Sequence, residues 1–514
     1  MPTAASWTSG WTGGWTEARR AVADVGHLVR FRTGTVRRRG SAAWFALGFV
    51  ALTTAAAVVP AYTPGAGDDG RAFDLLLLLP TALAGFLGLA VVSAVASGGG
   101  RELLDRDPGA VLPVSPTTDH LGALLLAPLN IAWLLQAWTL LGTTAYALGP
   151  SGLAAAQVVV LLWLAVATAL AQVVAWTFEG VRRGNHGIAG VRLVTLALLG
   201  LALGLQMADA LVTVLDRLPT RRIVLGMLGG VSWTWAATIA ALLVALVVAV
   251  ALGAVPAYIA ARRAPREEQR VESGRYTARR LPGSDLAALV RTDRGSVWRA
   301  VPMRRGIAVL AIGPGAVALL GDLPWSTMTV LPGLVASGGA LLFGVNAWCL
   351  DARGGLWRES LPVPPGTVFT ARAWVLAEFL VAASMVTVLL AAVRAGVPSS
   401  AELTALACTV VVVTVQVVGA GMRWSAQRPY AVDLRSARAT PAPPLTMVGY
   451  STRLAVSTTL TGLVFSGLAR VPAWEVSVLV AVPFVCWSLA RLVRARARWI
   501  DPVDRARVVM AVAG

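Results

Sequence analysis

Apolar residues in this chain fall into long unbroken runs. Runs of about 20 residues suffice for a helix to cross the roughly 30 Å hydrocarbon core of a bilayer. Twelve such runs occupy 42–60, 73–97, 121–148, 152–178, 190–215, 232–260, 306–321, 327–349, 368–393, 402–422, 447–468 and 473–493. Between them lie short polar connections, and nothing shows the strict period-two alternation of a strand. The pattern predicts an all-α polytopic membrane protein with about twelve transmembrane helices.

Composition agrees: 56% of residues are hydrophobic and 14% charged, against roughly 25% charged in soluble proteins. The net charge of +18 at first suggests nucleic acid. Its distribution argues otherwise. All 44 basic residues are arginine; 38 lie on one side of the predicted topology and six (Arg71, Arg217, Arg221, Arg222, Arg394 and Arg470) on the other. That asymmetry is the positive-inside signature, which places both termini in the cytoplasm and the protein in the plasma (inner) membrane. No aromatic-interleaved basic patch accompanies the arginines, so no nucleic-acid partner is expected. The partner is the bilayer.

Chemistry-bearing motifs are sparse. Cys349, Cys408 and Cys486 are far apart, as are His27, His120 and His186, and no HExxH or CxxC spacing occurs, so no metal site is expected. Trp7, Trp11 and Trp15 would align on one face of a surface helix, although Gly10, Gly13 and Gly14 equally suit an unstructured tail. A chain without lysine cannot contain a GxxxxGK[ST] phosphate loop.

The informative feature is internal repetition. Leu28-Val29-Arg30 recurs as Leu289-Val290-Arg291, Leu112-Pro113-Val114 as Leu361-Pro362-Val363, Gln172-Val173-Val174 as Gln416-Val417-Val418, and Arg192-Leu193 as Arg453-Leu454, at offsets of 261, 249, 244 and 261. Order is kept and only loop lengths differ. With six spans per half, both halves run the same way through the membrane, a 6+6 parallel repeat. The predicted divisions are a cytoplasmic N-terminal segment (1–40), a first six-span half (41–261), a linker and approach segment (262–305), a second six-span half (306–493) and a C-terminal tail (494–514).

The clearest repeated element is a charged, proline-stiffened loop between the second and third spans of each half. It reads RELLDRDPGAVLPVSP from Arg101 and RESLPVPP from Arg358. Proline at 113 and 116, or at 362, 364 and 365, restricts the backbone and stops a helix from running straight into the membrane. A short stiff element at the membrane face can transmit force. Alternatively, proline caps the next span and Arg101 and Arg358 anchor helices to headgroups.

These features together resemble the permease subunit of ATP-binding-cassette exporters of the drug, lipid and antibiotic efflux type, with two six-span units fused in one chain. The resemblance implies that the loops are coupling helices seated on an ATPase. Their residues would be Arg101, Glu102, Leu112, Pro113, Val114 and Pro116, with Arg358, Glu359, Leu361, Pro362, Val363 and Pro365; the approach segments near Arg30 and Arg291 form a second contact. It further implies that the chain is not itself an enzyme and binds no cofactor. ATP would act through a partner subunit, in two copies for a fused chain. Family members often carry re-entrant helices between spans five and six. The stretch 223–230, IVLGMLGG, suits one, whereas the matching loop near 469–473 is too short.

Asn130, Gln136 and Glu378 are candidates for a translocation path carrying a hydrophobic or amphipathic substrate, because polar groups at mid-membrane depth are costly. They serve equally well as hydrogen-bonding ties between helices. Asp209 and Glu179 lie close enough to helix ends to reach headgroup water. A proton-coupled transporter of the major facilitator kind also has 6+6 spans, and Gly100-Arg-Glu-Leu-Leu-Asp105-Arg106 brushes its loop signature with one residue too many. A lipid-linked transferase would need clustered polar catalytic groups at a membrane face, and the outer loops lack them.

Overall fold

The computed structural model describes residues 5–34, 39–96, 114–129, 131–184, 186–208, 210–263, 280, 282–321, 323–431 and 441–514. All regular secondary structure among them is helical. The chain divides into two compact units, Met1–Arg266 and Glu267–Gly514.

Seven helices among the described residues are long and apolar enough to cross a membrane: Gly70–Val95, Leu153–Arg182, Trp233–Ala261, Trp325–Leu342, Pro365–Ala392, Ser400–Gln427 and Trp474–Ile500. Their environment follows from what they leave uncovered. In Trp233–Ala261 only 17% of the most apolar window is buried inside the protein, and Val244, Val247 and Leu252 face outward. An apolar surface of that extent is stable against lipid and not against water. This is a polytopic helical membrane protein.

In the first unit, helix Leu153–Arg182 is the centre of the bundle. It carries Val159, Val160, Trp163 and Leu164 in the core against Leu79, Leu83 and Phe86 of helix Gly70–Ala96. Polar side chains tie this apolar contact at fixed points. Gln157 Nε2 donates to the carbonyls of Ala57 (2.8 Å) and Leu141 (3.0 Å), and Trp163 Nε1 to that of Leu83 (3.1 Å). The predicted third span is interrupted. Helix Pro116–Leu126 ends in a 3₁₀ turn at Ala127–Leu129, and a new helix runs Ile131–Leu148. Pro128 explains the break, since it lacks the N–H that would continue the ladder. The N-terminal segment is helical over Ala5–Gly34, and of the 223–230 stretch residues 223–228 close helix Thr220–Leu228, with Ile223, Val224 and Met227 buried, while Gly229 and Gly230 form the turn after it.

In the second unit the six predicted runs fall on helices Val301–Leu320, Leu331–Leu342, Pro365–Ala392, Ser400–Gln427, Pro444–Leu468 and Trp474–Ile500, of which Val301–Leu320 and Pro444–Leu468 are not among the seven membrane-span candidates. Helices Leu331–Leu342 and Pro444–Leu468 cross so closely that a Cβ on Gly333 would stand 2.9 Å from the Thr458 carbonyl oxygen, and one on Gly462 2.9 Å from Val330 Cα. Glycine is required there. Reciprocal hydroxyl bonds reinforce the crossing, Thr458 to the Gly333 carbonyl at 3.2 Å and Thr329 to that of Gly462 at 3.0 Å. The eighth predicted span unwinds at Phe343, and the kinked turn Gly344–Leu350 holds Asn346 at φ −146°, ψ 77°. Its freed polar groups are bonded inside the bundle: Asn346 Nδ2 donates to the carbonyls of Tyr430 and Pro441, and the Ala347 N–H donates to Ser425 Oγ at 2.7 Å. No short helix occupies 469–473, where Pro444–Leu468 turns directly into Trp474–Ile500.

Candidate functional site: an ion cluster beneath the 354–365 loop

The second approach segment is helix Asp285–Arg299, capped by Ser284, whose hydroxyl accepts from the Ala287 N–H at 3.3 Å. One face is buried: Leu289, Val290, Asp293 and Val297. A carboxylate in that apolar stripe needs a counter-charge. It has two. Arg372, fully buried in helix Pro365–Ala392, approaches in fork geometry, Nε to Asp293 Oδ2 at 2.8 Å and Nη2 to Oδ1 at 3.2 Å. Arg358 Nη2 reaches Asp293 Oδ1 at 2.6 Å. Asp351 closes the set, 2.7 Å from Arg372 Nη2 and 3.3 Å from Arg358 Nη1.

Two arginines and two aspartates make the cluster neutral, and its remaining capacity is largely used. Arg372 Nη1 donates to the Ala347 carbonyl of the unwound turn, and its guanidinium lies 5.3 Å from the ring centre of Trp348. Trp348 stacks on Trp499 with centroids 3.6 Å apart and planes 6° apart, and Trp499 Nε1 donates to the Pro365 carbonyl at 3.1 Å. Five elements are thereby fastened at one point: the approach helix, the unwound turn, the loop, helix Pro365–Ala392 and the end of helix Trp474–Ile500.

Burial pushes the Asp293 carboxyl up, but Arg372 and then Arg358 outweigh it and hold the group below its ordinary value. A depressed carboxylate contributes stability that is present above its unfolded pKa and is lost as pH falls through its lower folded one. The cluster is therefore expected to hold throughout the neutral range and to fail only below about pH 4, where an unperturbed Asp protonates. Thermal melts of the solubilised protein between pH 8 and pH 3 check this; a loss of stability already between pH 7 and pH 5 would contradict it.

The loop above the cluster is built on helix Gly354–Glu359, entered through Ala352 at φ 43°. Adjacent residues on a helix point about 100° apart, and the Arg358-Glu359 pair is split accordingly. Arg358 turns inward to the cluster. Glu359 turns outward to Arg505 of helix Pro502–Ala513, Oε2 to Nε 2.8 Å. Trp357 is 80% exposed and Leu361 50%. Pro362 is exposed, Val363 packs half-buried on the core, and Pro365 opens the next helix at its first turn.

Of the matching loop in the first unit, Arg101, Glu102, Leu112 and Pro113 lie outside the described residues. Val114 is half-buried, and Pro116 opens helix Pro116–Leu126, whose cap Ser115 accepts from the Thr118 N–H at 3.1 Å. The first approach helix meets that helix directly: Thr117 donates to Glu17 at 3.1 Å and Thr118 to Asp24 at 3.5 Å. Asn130 and Asp209 also lie outside the described residues. Gln136 is half-buried on helix Ile131–Leu148. Glu378 belongs to the other unit and is paired, its Oε2 standing 2.7 and 2.8 Å from Arg294 Nη2 and Nε on the approach helix.

The loop pattern alone does not reveal Asp293, Asp351 and Arg372, the residues that organise this site. One signal was available: an aspartate at the i+4 position of the Leu289–Asp293–Val297 stripe. Among the described residues no group of three or more His, Cys, Asp or Glu side chains is placed to hold a metal. No family model matches the chain, and no curated protein or solved structure matches it either.

Proposed function

We propose that this chain is the membrane permease subunit of an ATP-driven exporter, moving a hydrophobic or amphipathic substrate out of the cell with ATP hydrolysed by a separate subunit. The observation that carries the reading is the construction of the 354–365 loop. Its outer surface presents Trp357 and Leu361, and its inner surface is bolted through Arg358 to Asp293 and Asp351. A push on such an element passes into the buried start of helix Pro365–Ala392 instead of being absorbed by the loop.

The same reading has twelve spans as two six-span halves, with both termini cytoplasmic in the plasma membrane. Its support is the repeated sequence order and a shared local arrangement: in each unit an approach helix packs on the start of the helix that follows the Leu-Pro-Val-x-Pro turn. Two ATPase copies would engage one chain, one per loop, and ATP binding would draw the loops together and switch the path between inside and outside access. Gln136 is the polar candidate for that path in the first half. Glu378, held by Arg294, serves better as a tie between the approach helix and the ninth span.

Exposed aromatic anchors dominate protein interfaces, with truncation costs of about 2 kcal/mol or more, roughly thirtyfold in affinity. Trp357→Ala combined with Leu361→Ala is therefore expected to weaken the hold on the ATPase copy at this loop by about that factor and to bring recovery down from two copies per chain to about one. Neither side chain supports the core, so the thermal midpoint should stay put. Unchanged recovery in a quantitative pull-down would sink the coupling role of this loop.

A further inference from the structure

The second unit carries a second arginine cluster, and this one has no acids to balance it. On helix Trp474–Ile500, Arg491, Arg494 and Arg498 recur at i, i+3 and i+7, which places them on one face over about 10 Å. Helix Ser400–Gln427 runs alongside in the same direction, with Gly419 against Ser488 and Leu492. That register brings Arg423 beside Arg491. Among the described residues none of Arg423, Arg491, Arg494 and Arg498 has a carboxylate within ion-pair reach, and Arg491 Nε is buried without a hydrogen-bond partner.

The strip ends at a cavity of about 240 Å³ between the ends of these two helices and helix Pro502–Ala513. Arg498, Arg507, Gln427 and Trp499 are among the residues that line it. Its one acid, Asp504, is already engaged by Arg507 at 3.3 Å. Like charges at helical spacing destabilise one another. In the Asp293 cluster the chain supplies its own anions; here it does not.

We propose that this arginine strip and its cavity form a binding site for a phosphate-bearing anion. Guanidinium groups match phosphate oxygens in fork geometry, and basic pockets between helices at a membrane face are the setting in which headgroups bind. A lipid is the source that the surface favours. On its preceding turns the same helix exposes Leu479, Val482 and Leu489, side chains that suit acyl chains, so a lipid beside the helix can carry its phosphate at the level of Arg491, Arg494 and Arg498. A free phosphate uses only the second half of that arrangement.

The full chain, reconstituted in nanodiscs of equal phosphatidylcholine and phosphatidylglycerol and released for native mass spectrometry, tests the site. Each arginine near an anionic surface is worth about fivefold in affinity, so phosphatidylglycerol should dominate the retained lipid. Arg491→Gln with Arg494→Gln and Arg498→Gln should cut that preference by about a hundredfold, whereas the three Arg→Lys changes should keep most of it. A parallel thermal titration of the delipidated chain with inorganic phosphate identifies the source: stabilisation by phosphate without lipid preference assigns the site to a soluble anion. Equal retention of the two lipids together with no response to phosphate overturns the proposal, and that comparison needs only the unmodified protein.

Discussion

Arg372→Ala is expected to be among the most damaging single substitutions in the second unit, lowering stability by about 3–5 kcal/mol. The reason lies in what it leaves behind. Asp293 is fully buried and would keep only Arg358, and the Ala347 carbonyl would lose its guanidinium donor. Breaking one side of a buried pair strands the other charge in a medium that cannot solvate it. Arg372→Lys should restore little, because a single ammonium cannot reproduce the two parallel bonds to Asp293 and the bond to Asp351 together. Arg294→Ala is the control: it removes a pair whose partners are 46% and 38% exposed, so no more than about 1 kcal/mol is expected. Fluorescence-detected size-exclusion melts compare the three. Equal midpoints for Arg372→Ala and Arg294→Ala would show that the cluster does not hold the unit together.

Truncation after Asp501, removing helix Pro502–Ala513, should be comparably severe. That helix buries Val508, Val509 and Val512, and fully burying a valine is worth about 1.5 kcal/mol, so roughly 4 kcal/mol is at stake. The lost helix also supplies Arg505, the outer anchor of Glu359. With its outer anchor gone, helix Gly354–Glu359 is held only from beneath. Limited trypsin digestion should then cut at Arg353 far faster than in the full chain. A truncated protein with unchanged midpoint and unchanged cleavage would separate the C-terminal helix from the loop.

The helices that hydropathy located best are the uninterrupted ones. The run 152–178 is helix Leu153–Arg182, and 402–422 lies within Ser400–Gln427. Helices extend past the apolar run because amphipathic last turns, such as the one bearing Glu179, Arg182 and Arg183, complete their hydrogen bonds beyond the apolar stretch. The breaks at Ala127–Leu129 and at Phe343 are invisible to hydropathy, which reads apolarity and not continuity of the backbone ladder. Pro128 marked the first of them; nothing in GALLFGVNAW marked the second. The loop was legible as a stiff repeated motif, but its inner half was not. Asp351, Arg358 and Arg372 lie within 21 residues of one another, but Asp293 is 65 and 79 residues from its two arginine partners and meets them only when the approach helix packs on this loop and helix.

The central claim is that this chain works as the permease of an ATP-driven exporter. The most direct test is to purify it, tagged at its natural abundance, from its own host in mild detergent and to quantify every stoichiometric partner by mass spectrometry. The expected result is an ATP-binding-cassette ATPase at close to two copies per chain, falling to about one copy on Trp357→Ala with Leu361→Ala. A reproducibly solitary chain that transports in liposomes under a proton gradient alone would contradict it and establish a secondary transporter in its place.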